Sequence, residues 1–305
     1  MPHSVVIESA PAYELVLSLE VFVARQRWKT IDLGTAWGTA IARRLGPEVT
    51  ARLRAIDERH LSHLLYPLIH QSPEQGVVGF LAWFASLSPG EIYEQLVRYT
   101  TEEDRTHWPV DLDAWREMLI RELHTWNEEY FRHLDPAILE HLKADAEARR
   151  AQASVTPLPE LIGEATSGLY LEMADLKQVL LVPQYHMRPW NMMLKRKDLT
   201  VVLYPVEPPV ANPDEPPVAL TRLTQALADG SRLRLLRFLA REPLNLSQLT
   251  ERSGLAKSTV HHHMVALRAA GLVIVREWEE EVRYSLRPGW MELLSARLSA
   301  FIEPE

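Results

Sequence analysis

The chain has 305 residues, a formal net charge of −8 and 47% apolar residues, a composition that excludes wholesale disorder and collagen-like repeats. It contains no cysteine, which excludes disulfides, a thiolate nucleophile and cysteine-ligated zinc or iron–sulfur centres. The most apolar stretch, residues 76–87, is 12 residues long, whereas a membrane-spanning helix needs about 20. Because no basic and apolar leader begins the sequence, we expect a cytoplasmic protein of two or three domains with no membrane partner.

Charge is unevenly distributed along the chain. Residues 1–218 carry 21 basic and 31 acidic side chains, whereas residues 219–305 carry 12 basic and 10 acidic ones. Within the second part, residues 231–276 hold eight basic side chains against two acidic ones. An acidic body attached to a locally basic module indicates that the module is the part that contacts phosphates.

Helical patterns dominate the first half of the sequence. Apolar residues recur at helical spacing in segments 11–26, 37–45, 47–65, 72–84, 111–134 and 136–152. Ser88 and Glu91, three residues apart, predict the capped start of a further helix. We therefore predict a helical domain over residues 1–154.

The pattern changes after residue 154. Branched and aromatic residues predict short strands at 168–173, 178–182 and 199–204. We predict that residues 155–205 form a small α+β segment packed on the helical domain.

Six prolines lie from residue 205 to residue 217 and exclude a helix interior or central strand there. Residues 206–218 are therefore predicted to be a stiff, extended linker.

Residues 219–305 have the pattern of a winged helix-turn-helix DNA-binding domain. Helices are predicted at 219–228, 231–241, 245–252, 256–270 and 290–302, and strands at 273–275 and 282–286. In the second helix we expect Leu233, Leu236 and Leu239 to face inward. Helices joined by a tight glycine turn and followed by a β-hairpin are typical of this fold. The predicted fold class is mainly α with small β parts.

The fourth of these helices has two distinct faces. Val260, Met264 and Leu267 fall at i, i+4 and i+7 and should face the core. The residues that then point outward can donate hydrogen bonds to phosphates or to purine acceptors in a major groove. The candidate DNA-binding residues are Lys257, Ser258, Thr259, His261 and His262 on this helix, with Arg276 and Arg283 on the two strands.

Two segments resemble the ArsR-type family of transcriptional repressors. Residues 227–239, LADGSRLRLLRFL, resemble the opening signature of the family, and residues 258–272, STVHHHMVALRAAGL, resemble its recognition helix. A weaker resemblance covers the whole chain, to a bacterial group of ArsR-type regulators that carry a long, uncharacterised helical domain before the winged helix. The residues that carry it are Arg27-Trp28, 180–185 and 203–205. The resemblance implies a regulator of transcription that binds double-stranded DNA.

The chain departs from the family at two places. ArsR-type metal sensors have paired cysteines in the helix before the recognition helix, and here that region reads LNLSQLT, so we expect no metal or other cofactor. The wing tip of the family is usually basic, whereas residues 277–281 read EWEEE and would repel phosphates at close range.

Members of the family typically dimerise through terminal helices, so the resemblance implies a homodimer. The last predicted helix carries an apolar stripe that fits this interface, formed by Trp290, Leu293, Leu294, Leu298 and Phe301. Packing inside one protomer is the alternative explanation of the stripe.

Seven of the nine tryptophans lie before residue 206. They either fill a large helical core, which we favour, or line a pocket for a small effector, with Trp28, Trp83, Trp126 and His124 as its candidate residues.

His60 and His63 are three apart on a helix and could both reach one metal ion. Arg59 is adjacent, however, and no recognised zinc motif is present, so we predict no metal there.

The leading functional hypothesis is a dimeric repressor whose N-terminal domain senses a small ligand. The alternative is an N-terminal scaffold for dimerisation or protein interaction that has no small-molecule effector. No phosphate-binding loop, dinucleotide-binding loop or nucleophile elbow occurs in the sequence, so we predict that the chain is not an enzyme.

Overall fold

The computed structural model describes residues 4–169, 177–209, 212–278 and 281–303. The chain forms two compact units. The N-terminal unit comprises Met1–Ala151 and Ala174–Pro208, and the C-terminal unit comprises Gln152–Met173 and Pro209–Glu305. Within the described residues no helix combines the length and the apolar character required to cross a membrane.

The N-terminal unit is mainly helical. Its helices are α1 (Pro11–Val23), α2 (Gly34–Arg54), α3 (Glu58–His60), α4 (Tyr66–Gln71), α5 (Val77–Ser86), α6 (Pro89–Val97), α7 (Glu102–Arg105), α8 (Leu112–Glu129) and α9 (Pro136–Ala153). A π-helical turn, Leu61–Leu65, joins α3 to α4. The predicted break before Pro47 is present, because Gly46 has a φ of 77° and interrupts α2. The start predicted at residue 72 is wrong, since α5 begins only after Gly76.

A four-stranded sheet lies in the same unit. Its strands are β1 (Ser4–Ile7), β2 (Gln178–Gln184), β3 (Met192–Lys195) and β4 (Leu199–Pro205), in the order β1-β2-β4-β3. β1, β2 and β4 are parallel, and β3 is antiparallel to β4. β2 and β4 are buried along almost their whole length, which accounts for their continuous apolar runs.

Helix α1 is the most buried helix of the N-terminal unit, and every residue from Ala12 to Phe22 is inaccessible to solvent. Its two buried carboxylates have partners in distant parts of the unit. Glu14 accepts hydrogen bonds from the backbone N–H groups of Tyr185 and His186 and contacts the Nδ1 atom of His186. Glu20 accepts a hydrogen bond of 2.9 Å from the Tyr66 hydroxyl. These pairings offset part of the cost of removing the carboxylates from water.

The C-terminal unit contains the predicted winged helix. Its helices are α10 (Leu158–Ala165), α11 (Val218–Leu227), α12 (Gly230–Leu239), α13 (Leu246–Ser253), α14 (Lys257–Ala269) and α15 (Trp290–Ile302). Its strands are β5 (Leu244–Asn245), β6 (Val273–Trp278) and β7 (Glu281–Leu286), in the order β5-β7-β6. In α12 the inward leucines are Leu235, Leu236 and Leu239. The inward position predicted for Leu233 is wrong, because it is 48% exposed.

The division into units differs from the boundaries that the sequence predicts. Residues 155–205 do not belong to one structural unit, because residues 155–169 group with the winged helix and residues 177–205 group with the N-terminal unit. Leu169 forms a single parallel β-bridge with Val275, and Gly168 lies against Ile274. This bridge ties α10 and the turn after it to the β-hairpin of the C-terminal unit. Most of the strand predicted at 168–173 lies outside the described residues.

Candidate nucleic-acid interface

The capped helix α13 and the tight turn at Gly254 determine where α14 begins. The Asn245 side chain accepts from the Gln248 backbone N–H at 2.8 Å, and the Gln248 side chain accepts from the Asn245 N–H at 2.9 Å, so two of the amides left unpaired at the start of α13 are satisfied. Gly254 ends α13 with a φ of 70°, a backbone conformation that other residues rarely adopt. Only two residues, Leu255 and Ala256, separate Gly254 from the start of α14, which gives the short turn of a helix-turn-helix.

One face of α14 is fixed in the core of the C-terminal unit. Val260, Met264 and Leu267 are at most 1% exposed, as their spacing predicts. His263 lies on the edge of the same face at 9% exposure, and its Nδ1 atom has no hydrogen-bond partner among the described residues. The packing of these side chains fixes the rotation of the helix about its own axis, and therefore fixes which residues face solvent.

The opposite face of α14 is polar and open to solvent. Lys257, Ser258, Thr259, His261 and His262 are all exposed. Ser258 and His262 are four residues apart, so their side chains lie on the same stripe of the helix, one turn from each other. The N-cap residue Ala256 supplies no side-chain acceptor, so the first amides of α14 have no side-chain cap. Those amides and the helix dipole can bind a phosphate.

Several arginines of the basic module are committed to structural contacts. Arg232 donates from Nε and Nη2 to the carbonyl oxygens of Ala226 and Gln225, both at 2.8 Å. Arg252 pairs with Glu242 at 2.7 Å. Their side chains hold helices of the unit in place, so the positive charge that the sequence assigns to the module is only partly available to a ligand. Sequence reasoning missed this division because it counts charges without partners.

The hairpin of β6 and β7 brings the two predicted strand arginines together. Arg276 on β6 and Arg283 on β7 are register partners across the antiparallel pair. Arg283 is exposed and Arg276 is half-buried, so Arg283 is the more accessible to a phosphate. Residues 279 and 280 of the acidic wing tip lie outside the described residues.

Helix α15 presents the predicted apolar stripe. None of its described residues is buried within the chain. Trp290 and Leu294 pack against the core of the C-terminal unit, so packing inside the protomer accounts for these two. Leu293, Leu298 and Phe301 are half-buried. An apolar helix without a buried residue leaves surface that a second chain can cover.

The four residues proposed for an effector pocket do not converge. Trp28 and Trp126 both pack on Phe22 in the interior of the N-terminal unit, with ring centroids 5.7 Å and 4.9 Å away. Trp83 packs beside Phe80 instead. His124 is exposed, because it lies two residues before Trp126 and therefore on the opposite face of α8. Trp28 and Trp126 are thus part of the core.

The histidines of the N-terminal unit are not arranged around a metal. Within the described residues no three His, Asp or Glu side chains are placed to hold an ion. Asp57, one turn before His60, is bound by the guanidinium of Arg59 at 2.6 Å. His60 and His63 instead border a small cavity.

Comparison with known proteins finds relatives of part of the chain. A family model described as a helix-turn-helix domain matches residues 227–276. The HTH-type transcriptional regulators CmtR of Mycobacterium tuberculosis and Mycobacterium bovis are 41% identical over 68 residues, which is 22% of this chain and 58% of theirs. A probable mercury resistance operon repressor of Streptomyces lividans is 31% identical over 93 residues, or 30% of this chain and 71% of that protein.

Two solved structures are each similar to about a quarter of the chain. An ArsR-like transcriptional regulator from Rhodococcus sp. RHA1 is 27% identical and covers 27% of this chain and 76% of its own, with a TM-score of 0.26. NolR from Sinorhizobium fredii is 29% identical and covers 28% of this chain and 84% of its own, with a TM-score of 0.23. The sequence matches, together with the helix-turn-helix and hairpin described above, show that the chain belongs to the ArsR-type family of winged helix-turn-helix transcriptional regulators.

Proposed function

We propose that the chain is a non-enzymatic repressor of transcription that binds an operator through α14. The observation that carries the proposal is that α14 has one apolar face buried in the core and one polar face exposed to solvent. Val260, Met264 and Leu267 anchor one face in the core, and the polar residues of the other face are exposed. A major groove of B-DNA is wide enough to admit such a helix, and the hydroxyl and imidazole groups on it match the acceptors of purine edges.

The proposed DNA contacts fall into two classes. Ser258, His261 and His262 lie on the stripe that faces away from the core, and they would read base edges. Lys257, Thr259 and Arg283 lie at the start of α14 and on the hairpin, and they would contact phosphates on either side of the groove. Arg276 is the register partner of Arg283 and would support the same backbone contact.

We propose that the regulator acts as a homodimer joined through α15. Leu293, Leu298 and Phe301 are half-buried in a helix with no buried residue, and Met291 and Ile302 of the same helix are 61% and 66% exposed. A second copy would remove this apolar surface from water. Two recognition helices related by a two-fold axis would then read half-sites about 34 Å apart.

We further propose that the N-terminal unit senses a small ligand that changes DNA affinity. The unit has its own core, built around α1, which is buried from Ala12 to Phe22. A ligand shifts the balance between two states only if it binds one of them more tightly than the other. The alternative pocket lined by tryptophans gains little support, since Trp28 and Trp126 pack in the core.

The test compares base reading with phosphate binding in the full-length protein. The full chain is used because α10 belongs to the same unit as the winged helix. Fluorescence anisotropy measures affinity for the DNA upstream of the gene and for a scrambled duplex. We expect His262→Ala to weaken specific binding by about 1–3 kcal/mol and to leave scrambled DNA nearly unaffected.

His141→Ala is the matched control, because His141 is exposed on α9 in the N-terminal unit. It should leave both affinities unchanged. Equal losses of His262→Ala on the two duplexes would count against base reading by this side chain. If the wild-type protein binds neither that duplex nor any genomic fragment above the scrambled background, the proposed repressor function is wrong.

A further inference from the structure

A cavity of about 230 Å³ lies in the N-terminal unit. His60 and His63 border it from α3 and the π-helical turn, His107 and Trp108 border it from the segment after α7, and Arg196 borders it from the turn after β3. Sites for drug-sized ligands usually measure about 300–1,000 Å³, so an occupant of this cavity has to be small.

Arg196 has hydrogen-bonding groups that the protein does not satisfy. Its side chain is 6% exposed, and its Nη1 atom donates to the Asp104 carboxylate at 2.8 Å. Its Nε and Nη2 atoms are buried and have no hydrogen-bond partner anywhere in the described part of the chain. A buried charged donor without an acceptor costs free energy, so these two atoms require a partner that the chain itself does not supply.

The two unpartnered atoms have a defined geometry. Nε and Nη2 form one edge of the planar guanidinium, and an edge of this kind binds both oxygens of a carboxylate or two oxygens of a phosphate in parallel. A neutral acceptor such as a carbonyl would satisfy only one of them. The geometry of the orphaned edge therefore favours an oxyanion over other small ligands.

The other charged groups at the cavity are already paired. Asp104 accepts from Arg196 through one oxygen and from the Thr101 N–H and hydroxyl through the other. Although burial opposes it, these hydrogen bonds and the charge of Arg196 lower the pKa of Asp104. The Arg59 guanidinium is bound to Asp57. Asp104 balances the charge of Arg196 through Nη1 only, and Arg59 is occupied by Asp57, so the Nε and Nη2 donors of Arg196 remain without an acceptor.

His63 adds a neutral hydrogen-bonding group to this charge. Burial, together with the nearby charge of Arg196, lowers the pKa of His63 to about 4. At neutral pH its imidazole is uncharged and offers one donor and one acceptor. The half-buried indole of Trp108 and the buried side chain of Leu64 provide apolar surface in the same cavity.

We propose that this cavity binds a small oxyanion, a carboxylate or phosphate on a compact apolar group, through the Nε and Nη2 atoms of Arg196. Trp108 and Leu64 pack against the apolar part, and His63 supplies a further hydrogen bond. The inference rests on the sensing role proposed for the N-terminal unit and names the chemistry of its ligand. It places the ligand away from the tryptophans of the core.

Isothermal titration calorimetry of the full-length protein tests the proposal with matched probes. Benzoate and benzamide have the same shape but differ in charge, and inorganic phosphate tests the other source of oxyanion. We expect benzoate or phosphate to bind at least about tenfold more tightly than benzamide, because a charge-assisted hydrogen bond is stronger than a neutral one. Whichever of the two binds more tightly identifies the carboxylate or the phosphate as the preferred group.

Two variants locate the site. Arg196→Gln should weaken the preferred oxyanion by at least about tenfold and leave benzamide unchanged. Arg105→Gln removes the same charge from α7, where the guanidinium donates to the Tyr93 hydroxyl outside the cavity, and should leave binding unchanged. A loss of equal size in Arg105→Gln would show that net charge, not this cavity, attracts the anion, and would overturn the proposal.

The comparison of probes on the wild-type protein does not depend on the folding of any variant. Equal affinity for benzoate, phosphate and benzamide, or no binding of either oxyanion at about 10 mM, would overturn the proposal. These titrations contain no DNA, so their outcome is independent of whether α14 reads an operator. Failure of DNA binding and failure of anion binding are therefore separate results.

Discussion

The indole ring of Trp28 lies directly against Gly38, where an added β-carbon would come within 2.4 Å of ring atom Cε2. Trp28 is 3% exposed, and its indole N–H donates to the Val21 carbonyl at 2.9 Å. The ring is also packed on Phe22. It cannot move away from Gly38 without breaking a buried hydrogen bond, so close packing in the N-terminal unit requires a residue without a side chain at this position.

We therefore expect Gly38→Ala to lower the free energy of unfolding of the N-terminal unit by about 1–3 kcal/mol, the usual cost of overpacking. Urea unfolding followed by tryptophan fluorescence measures the change. Gly90→Ala is the control, because a β-carbon at Gly90 meets nothing within 4 Å and alanine is a better helix former than glycine. Equal stability of Gly38→Ala and the wild type would show that the ring has room to move.

Lys257 is exposed in the first turn of α14, where a side chain reaches phosphates more readily than bases. We expect Lys257→Ala to weaken binding to all DNA sequences and to reduce the slope of log K against log salt concentration by about one unit. Anisotropy titrations at several salt concentrations measure the slope. Lys143→Ala removes the same charge from exposed α9 and should leave the slope unchanged. An unaltered slope in Lys257→Ala would remove this residue from the phosphate contacts.

Leu298 tests the dimer, because it lies on the apolar stripe of α15 and does not belong to the core of its own unit. A charge at this position should prevent a second chain from covering the helix. We expect Leu298→Asp to be monomeric by light scattering, with an unchanged circular dichroism spectrum. Ser295→Asp, at an exposed position on the same helix, should leave the wild-type mass unchanged. A wild-type protein that is itself monomeric would contradict the proposed dimer.

Glu20 couples the stability of the N-terminal unit to pH. Burial raises the pKa of Glu20 from 4.5 to about 7, even though Arg27 and Tyr66 act against this rise. Between these values the folded state holds a proton that the unfolded state has released. The contribution of Glu20 to the free energy of unfolding is therefore fully present below pH 4.5 and is lost as the pH rises through 7.

Replacing Glu20 by Gln removes this dependence. Relative to Glu20→Gln, the wild type should lose up to about 3 kcal/mol of unfolding free energy between pH 4 and pH 8. Urea unfolding of both proteins across this range measures the difference. The comparison is necessary because the lowered pKa of His63 gives the opposite trend between about pH 4 and 6.5. A difference that does not change with pH would show that Glu20 has the same pKa in the folded and unfolded states.

Local signals in the sequence predicted the geometry of the C-terminal unit well. The tight glycine turn and the spacing of Val260, Met264 and Leu267 act over a few residues, so the sequence carries them directly. Leu233 was placed wrongly because α12 also has Leu235 and Leu236, and periodicity alone did not decide which leucines face inward.

The interactions that the sequence did not predict join residues far apart in the chain. Strand β1 has four residues, and its partner β2 begins more than 170 residues later. Glu14 on α1 has its partner at His186, and no local pattern connects them. Arg196 belongs to no motif, and only the fold reveals that two of its donor atoms are buried without acceptors. Long-range pairing of this kind becomes visible only when the chain is folded.

The DNA-binding unit is continuous in space but not in sequence. Residues 152–169, with α10, belong to it, and the chain then returns to the N-terminal unit before crossing again at Pro208. Truncating the chain at the proline-rich segment would consequently not give the whole C-terminal unit, because residues 152–169 would be lost from it. A chimaera with another DNA-binding domain would have to replace both segments together, because the bridge between Leu169 and Val275 joins them.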